Sequence, residues 1–314
     1  LKAKLTSGIG IAYKQSWYQK TAFQKMLFII IAIAPSYIGY LLFGLYPNAL
    51  GVYYSTLNWS GFNEPVYIGF NNFINMFKDE FVWRALYHNI LLMLTIPFLV
   101  IVISLIIAYL LSKNSFAEYK FYKVLFFLPN VLSIIVISLL WAFIYDGSFG
   151  LLNGILKAIG INVGELYWLG EESLALWALI PPSVWSGIGL YIIIFMNAMS
   201  AVPKSMYEAA ILEGASHYVR LFKITIPLIR GVVRVGVLFT ILGVFKGFEM
   251  ILILTNGGPA GSTDVIGLYM FNLAFGKGYH NYGYASAIGM FLFVILVVAK
   301  LLLDKFMPKD DVEY

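Results

Sequence analysis

Six apolar stretches, about residues 26–46, 89–111, 122–145, 174–199, 231–254 and 284–303, dominate this chain. A helix needs about 20 mostly apolar residues to cross about 30 Å of hydrocarbon, and each stretch is long enough. Backbone N–H and C=O groups find no water in that layer, so such stretches must close their own hydrogen bonds as helices. Composition points the same way, with 61% hydrophobic and only 12% charged residues, against about half and a quarter in soluble domains. The expected fold is therefore an all-α polytopic membrane protein of six spans. The first stretch reads as a span rather than a cleaved leader, because about 25 residues precede it and its apolar run exceeds the usual signal core.

The expected organisation is an N-terminal segment 1–25, one membrane domain 26–305 and a tail 306–314, with no internal repeat. Pro35, Pro97, Pro129 and the pair Pro181-Pro182 lie within spans. Each either kinks a packing helix or frees a carbonyl for an internal polar contact. Of the 21 Lys and Arg residues, sixteen fall on one side of the predicted spans and four on the other, with Lys246 inside a span. The rich side holds Lys2, Lys4, Lys14, Lys20 and Lys25, the loop with Lys113, Lys120 and Lys123, the segment with Lys204, Arg220, Lys223, Arg230 and Arg234, and the end with Lys300, Lys305 and Lys309. Positive charge is retained in the cytoplasm, so both termini and the 200–230 connector are expected there. The outer loops, about 47–88, 146–173 and 255–283, are rich in Trp, Tyr, Gly and Asn.

Several chemistries are disfavoured. There is no cysteine, and His88, His217 and His280 are far apart in sequence, which argues against thiolate or histidine metal sites. The net charge of +5 arises from residues beside apolar stretches, where they orient spans, and no basic surface interleaved with aromatics suggests nucleic acid. Glu171-Glu172 reads as a solvated loop rather than a catalytic pair, and no nucleophile elbow occurs. The chain is not expected to be an enzyme. No G-x4-G-K-[S/T] phosphate loop is present, so any ATP hydrolysis belongs to another polypeptide.

The most informative polar break runs from Pro203 to Pro227. Pro203 suits a first helical turn, Met206, Ala209, Ala210 and Glu213 follow at helical spacing, and Gly214 is a plausible stop. Ser216 can cap a second short helix from His217 to Phe222. Ala209, Ala210 and Gly214 offer a low-relief surface flanked by Glu208 and Glu213, with Met206 and Tyr207 as apolar anchors. The alternative is an interfacial helix resting on headgroups. Such helices usually carry Lys and Arg on the polar face, and this one carries two Glu.

Glu208-Ala209-Ala210, three residues, Gly214, nine residues, then Ile224-x-Ile226-Pro227 resembles the EAA loop of permease subunits of binding-protein-dependent ABC importers, with Ile226 where that pattern usually has Leu. Further similarity to the MalF/UgpA-like sugar permeases lies in Gly69-Phe70-Asn71-Asn72-Phe73, Phe127-Leu128-Pro129, Leu254-Thr255-Asn256-Gly257-Gly258-Pro259 and Tyr284-Ala285-Ser286-Ala287, and covers about residues 26–305. The resemblance implies a type I ABC importer permease (MetI-like) fold in a bacterial inner membrane. It implies a docking surface of Glu208, Ala209, Ala210 and Gly214, followed by Pro227, for a separate ATPase that holds ATP and Mg. It also implies a second permease subunit, two ATPase copies, an extracytoplasmic solute-binding protein and a di- or oligosaccharide cargo.

Candidates for the transport path come from residue type. Lys246 and Glu249 are charges three apart in one predicted span, expected on one face, where they either pair or line a path. Trp141, Tyr145, Trp185, Tyr191, Asn197 and Phe248 offer the aromatic faces and amide that sugars bind, although Trp141, Tyr145 and Trp185 also suit an interfacial belt. Three other readings remain open: a permease for a non-sugar solute such as glycerol phosphate, an ion-driven secondary carrier, and a membrane scaffold without transport.

Overall fold

A computed structural model describes residues 21–112, 119–276, 278 and 280–306. The tail beyond residue 306, the segment before residue 21, and Lys2, Lys4, Lys14, Lys20, Lys113, Lys277 and Lys309 lie outside the described residues. The chain divides into two compact units, Leu1–Tyr53 and Tyr54–Tyr314.

In the first unit a helix, α1 (Thr21–Tyr40), continues through a π turn at Leu41–Leu45 into α2 (Tyr46–Ser55). The predicted span ended at residue 46, but the helix runs on. Pro47 has no N–H to donate, and the chain adapts locally: the Tyr46 N–H reaches back five residues to the Leu41 carbonyl. The Asn48 side-chain amide then donates to the Gly44 carbonyl at 2.8 Å.

The second unit begins with a short antiparallel pair, β1 (Leu57–Asn58) and β2 (Val66–Tyr67), then α3 (Asn71–Lys78) and the 33-residue α4 (Glu80–Ser112). α4 starts about nine residues before the predicted span at 89. Next come α5 (Tyr119–Val131), α6 (Ile134–Ile144), α7 (Leu151–Ala158), α8 (Glu172–Ala178) and α9 (Ile180–Ser200). The short α10 (Lys204–Leu212), α11 (His217–Arg220) and α12 (Ile226–Leu228) lead into α13 (Arg230–Lys246). α14 (Glu249–Leu254), α15 (Ile266–Phe275) and α16 (Tyr282–Phe306) complete the chain.

Among the described residues, four helical runs are long and apolar enough to cross a membrane: Phe23–Ser55, Glu80–Ser112, Glu172–Ser200 and Tyr282–Phe306. The two remaining predicted spans are broken. Residues 122–145 divide into α5 and α6, bent by 99°, because Ser133 is extended and its Oγ accepts from the Val136 N–H, starting a new helix. Residues 231–254 divide at Gly247, which is extended at φ −82° and ψ 100°. A further bend of 79° separates His217–Leu228 from α13.

The main core lies where α4, α9 and α13 meet, around Val100, Ile101, Ile192, Phe195 and Val233. Small residues let backbones approach. A Cβ on Gly189 would strike the Phe126 carbonyl of α5, and one on Gly236 would sit 3.2–3.4 Å from Phe195, Ile101 and Tyr191. Side-chain hydrogen bonds link neighbouring helices: Ser104 Oγ, buried, donates to the Ile188 carbonyl at 3.1 Å. Asn130 Nδ2 donates to the Ser186 carbonyl at 3.0 Å. A second core joins α3, the start of α4, α15 and α16 through Met76, Val82, Ile266 and Ile288.

Candidate functional site

The connector between α9 and α13 folds by local rules. Pro203 precedes α10, and the helix ends in a Schellman turn: the Ala215 N–H donates to the Ala210 carbonyl at 2.9 Å and the Gly214 N–H to the Ile211 carbonyl at 3.0 Å. Gly214 takes φ +75°, and a Cβ there would meet nothing within 4 Å. Within this chain its requirement is thus backbone conformation, which a side chain makes costly. Ser216 caps α11, its Oγ accepting from the Val219 N–H. A π turn at Leu221–Thr225 follows, and Thr225, fully buried, donates from Oγ1 to the Arg220 carbonyl at 3.0 Å. Its one hydroxyl proton is thereby used, so Tyr207 donates its own to Thr225 Oγ1 at 3.1 Å. Tyr109 on α4 donates to the His217 carbonyl at 3.2 Å. Through these bonds α10 and α11 are pinned to the helices behind them.

What the connector leaves outward is the predicted surface, with one change. Glu208, Ala209, Glu213 and Gly214 are exposed. Leu212 stands 88% exposed beside Ile211 and Tyr218. Ala210 is half-buried and serves chiefly through its carbonyl in the helix-ending turn. Of the two expected apolar anchors, Tyr207 is half-buried and Met206 is exposed. Pro227, exposed, lies in α12 before the 79° bend rather than opening α13. Just beyond that bend, Arg234 pairs with Asp304 on α16, which also binds Lys300.

At the opposite end of α13 the helix stops at Lys246. The expected single face for Lys246 and Glu249 is lost, because the break at Gly247–Phe248 puts one at the end of α13 and the other at the start of α14. Both are exposed, and among the described residues neither forms an ion pair. Phe248 is half-buried and packs over Gly267.

Trp141, Tyr145 and Trp185 do come together, with ring centroids 5.2 Å apart for Trp141–Tyr145 and 6.2 Å for Trp141–Trp185. Trp168 joins them 6.5 Å from Tyr145, and its indole N–H donates to Asn153 Oδ1. Tyr191 instead lines a cavity of about 250 Å3 between α4, α9 and α13, with Ser183, Ser186, Thr240, Gly243 and Gly247 supplying its small and polar walls. Asn197 is exposed on α9 and lies outside this lining. The walls had a signal in the sequence, since Thr240, Gly243 and Gly247 recur every three to four residues on one face.

A platform at that same end had no such signal. Asn89, fully buried, accepts from the Ile266 N–H at 2.7 Å. His88 Nδ1 lies 2.8 Å from the Asp264 carbonyl, so it carries the proton. Tyr269 and Tyr284 both donate to Asp79 Oδ2, at 2.8 and 2.7 Å. The Asp264 carboxyl faces Arg84 at 3.9 Å. Burial raises its pKa above the ordinary 3.8, a rise that Arg84 and His88 partly oppose.

Residues 66–309 match the family described as binding-protein-dependent transport system inner membrane component. The chain is 34% identical to the probable ABC transporter permease protein YurN of Bacillus subtilis (strain 168), over 89% of this chain and 94% of that one. It is 30% identical to the diacetylchitobiose uptake system permease protein NgcF of Streptomyces coelicolor, over 89% and 82%. Its fold matches a chain in the crystal structure of a bacterial alginate ABC transporter with a TM-score of 0.77 at 22% identity, covering 91% and 96%. The family match runs from α3 to α16 and includes the connector and the platform, and the chain belongs to the binding-protein-dependent transport system inner membrane components, as a multi-pass permease subunit.

Proposed function

We propose that this chain is the permease subunit of an ATP-driven importer that moves a di- or oligosaccharide delivered by an extracytoplasmic binding protein. The connector faces the cytoplasm and docks on a separate ATPase, which carries ATP and Mg; a second permease subunit completes the path, with two ATPase copies. The observation that carries this reading is the connector itself: an exposed surface of Glu208, Ala209, Ile211, Leu212 and Glu213, held from behind by Tyr207, Thr225 and Tyr109. A rigidly backed, outward-facing apolar and acidic surface suits a protein partner better than a freely floating interfacial helix. Carbohydrate cargo is supported by NgcF, named for diacetylchitobiose uptake.

Coupling then follows from a lever. Motion of the docked ATPase pushes α10, and the Tyr207–Thr225 bond passes the push to the π turn and the 79° bend. From there it reaches α13, whose far end carries the Gly247 break and the cavity wall. ATP binding thus biases inward-open against outward-open arrangements through differential contacts at the connector. The cavity, smaller than the about 300–1,000 Å3 of usual ligand sites, serves as one wall of a path completed by the second subunit. Lys246, Phe248 and Glu249 at the break, and the Trp141–Tyr145–Trp185 group, are its sugar-contacting candidates, with Tyr191 in the wall.

The test is uptake by the assembled transporter carrying Gly214→Trp. The variant is expected to reach the membrane and lose ATP-dependent uptake. Normal uptake would overturn the assignment of the connector. Uptake by the chain alone, driven by an ion gradient, would favour a secondary carrier instead.

A further inference from the structure

We propose that an aromatic ladder on the far side of the bundle from the connector, formed by Trp59, Tyr282, Phe275, Phe271 and Phe248, guides a carbohydrate chain to the break in α13. The inference rests on the carbohydrate reading above and extends it outward from Phe248 to Phe271, Phe275, Tyr282 and Trp59, which that reading does not use.

The rings succeed one another at regular spacing. Centroids lie 5.6 Å apart for Trp59–Tyr282, 5.9 Å for Tyr282–Phe275, 5.5 Å for Phe275–Phe271 and 5.2 Å for Phe271–Phe248. They come from four separate elements: the strand-turn after β1, the start of α16, α15 and the α13–α14 junction. Interplanar angles of 42°, 75°, 43° and 37° mean that no ring is stacked flat on the next, and Trp59, Tyr282, Phe271 and Phe248 are each partly exposed. Phe275 is 64% exposed at the middle of the run, where a ring serving only as core would be covered. His280 flanks the outer end, 6.0 Å from Tyr282, with its Nδ1 unpaired among the described residues.

The inner end decides what the ladder is for. Phe248 stands between Lys246 and Glu249, both exposed and neither in an ion pair among the described residues. Such charges at the end of a membrane helix are costly unless they meet water or a polar ligand. A lipid tail would gain from the rings and be repelled by those charges. A sugar chain is suited to both, since its C–H faces lie on aromatic rings and its hydroxyls take the charged groups. Binding sites of that kind combine aromatic walls with a few placed polar groups. The spacing also suits hand-over, because a sugar unit leaving one ring reaches the next without crossing bare water.

The experiment compares Phe275→Leu, which keeps apolar bulk but removes the flat face, with Phe275→Tyr, which keeps the face. Each variant is assembled with its partners in proteoliposomes at matched recovery. Uptake is measured with a panel of labelled glucose, N-acetylglucosamine and uronic-acid oligosaccharides of increasing length. For the sugar that the parent protein takes up, Phe275→Leu is expected to lower uptake about three- to tenfold, the scale of one aromatic contact. The loss should grow with chain length, and Phe275→Tyr should restore most of the rate. Equal uptake by the two variants, or a loss independent of chain length, would overturn the ladder while leaving the carbohydrate reading intact. A parent protein that takes up none of the panel would remove the carbohydrate reading itself, and the ladder with it.

Discussion

The connector at one end of α13 and the platform at the other are built by opposite means. Every feature of the connector except its back-anchors joins residues within six positions: the Ser216 cap, the Gly214 turn, the Thr225 hydroxyl on Arg220. The platform is joined by contacts across most of the chain, such as Asn89 to Ile266 and Asp79 to Tyr269 and Tyr284. The difference has a functional consequence. A locally folded connector keeps its shape while the helices behind it shift, whereas a platform stitched from distant segments holds α4, α15 and α16 in one arrangement.

Substitutions can break this contrast, and the largest effect is expected where helices cross most closely. Gly189→Ala would drive a methyl group into the Phe126 backbone, costing about 1–3 kcal/mol or more, read as loss of folded protein in detergent thermal unfolding. Asn89→Ala comes next: it strands the buried Ile266 N–H, for about 1–3 kcal/mol, and should loosen the platform while connector variants leave it intact. Gly214→Ala should cost about 1–2 kcal/mol locally, with Gly214→Asn milder, because Asn tolerates a left-handed backbone. Uptake should fall in that order while global stability barely moves. Thr225→Val and Tyr207→Phe each remove one bond of the relay, worth about 1 kcal/mol; the pair should be less than additive if they act as one unit.

The smallest effect concerns pH. Because burial raises the folded-state pKa of Asp264, the protonated form is favoured in the folded protein. Its stabilising contribution is present below 3.8 and is lost as pH rises through the raised value. Asp264→Asn should therefore be at least as stable as the parent at neutral pH, an advantage that shrinks on acidification. A variant much less stable at neutral pH would mean that Arg84 outweighs burial.

The same contrast explains what the sequence revealed. Apolar length located the long helices, and the connector was readable to its cap and stop because capping is local chemistry. The helix runs past the predicted end of the first span at residue 46, and one extended residue, Ser133 or Gly247, divides an apolar run that hydropathy treats as continuous. That division separated Lys246 from Glu249. The platform was invisible because a buried Asn or Asp in sequence carries no mark of a partner some 180 positions away.

The account depends most on the connector facing the cytoplasm and docking on an ATPase, and the lack of cysteine in the chain allows a direct measurement. Leu212→Cys places a single thiol on the most exposed large apolar side chain of the connector, to be probed with a membrane-impermeant maleimide. The thiol should resist labelling in intact cells, react in inside-out vesicles stripped of peripheral proteins, and be protected when the ATPase is added back. Labelling from outside intact cells, or equal labelling with and without the ATPase, would contradict the central claim.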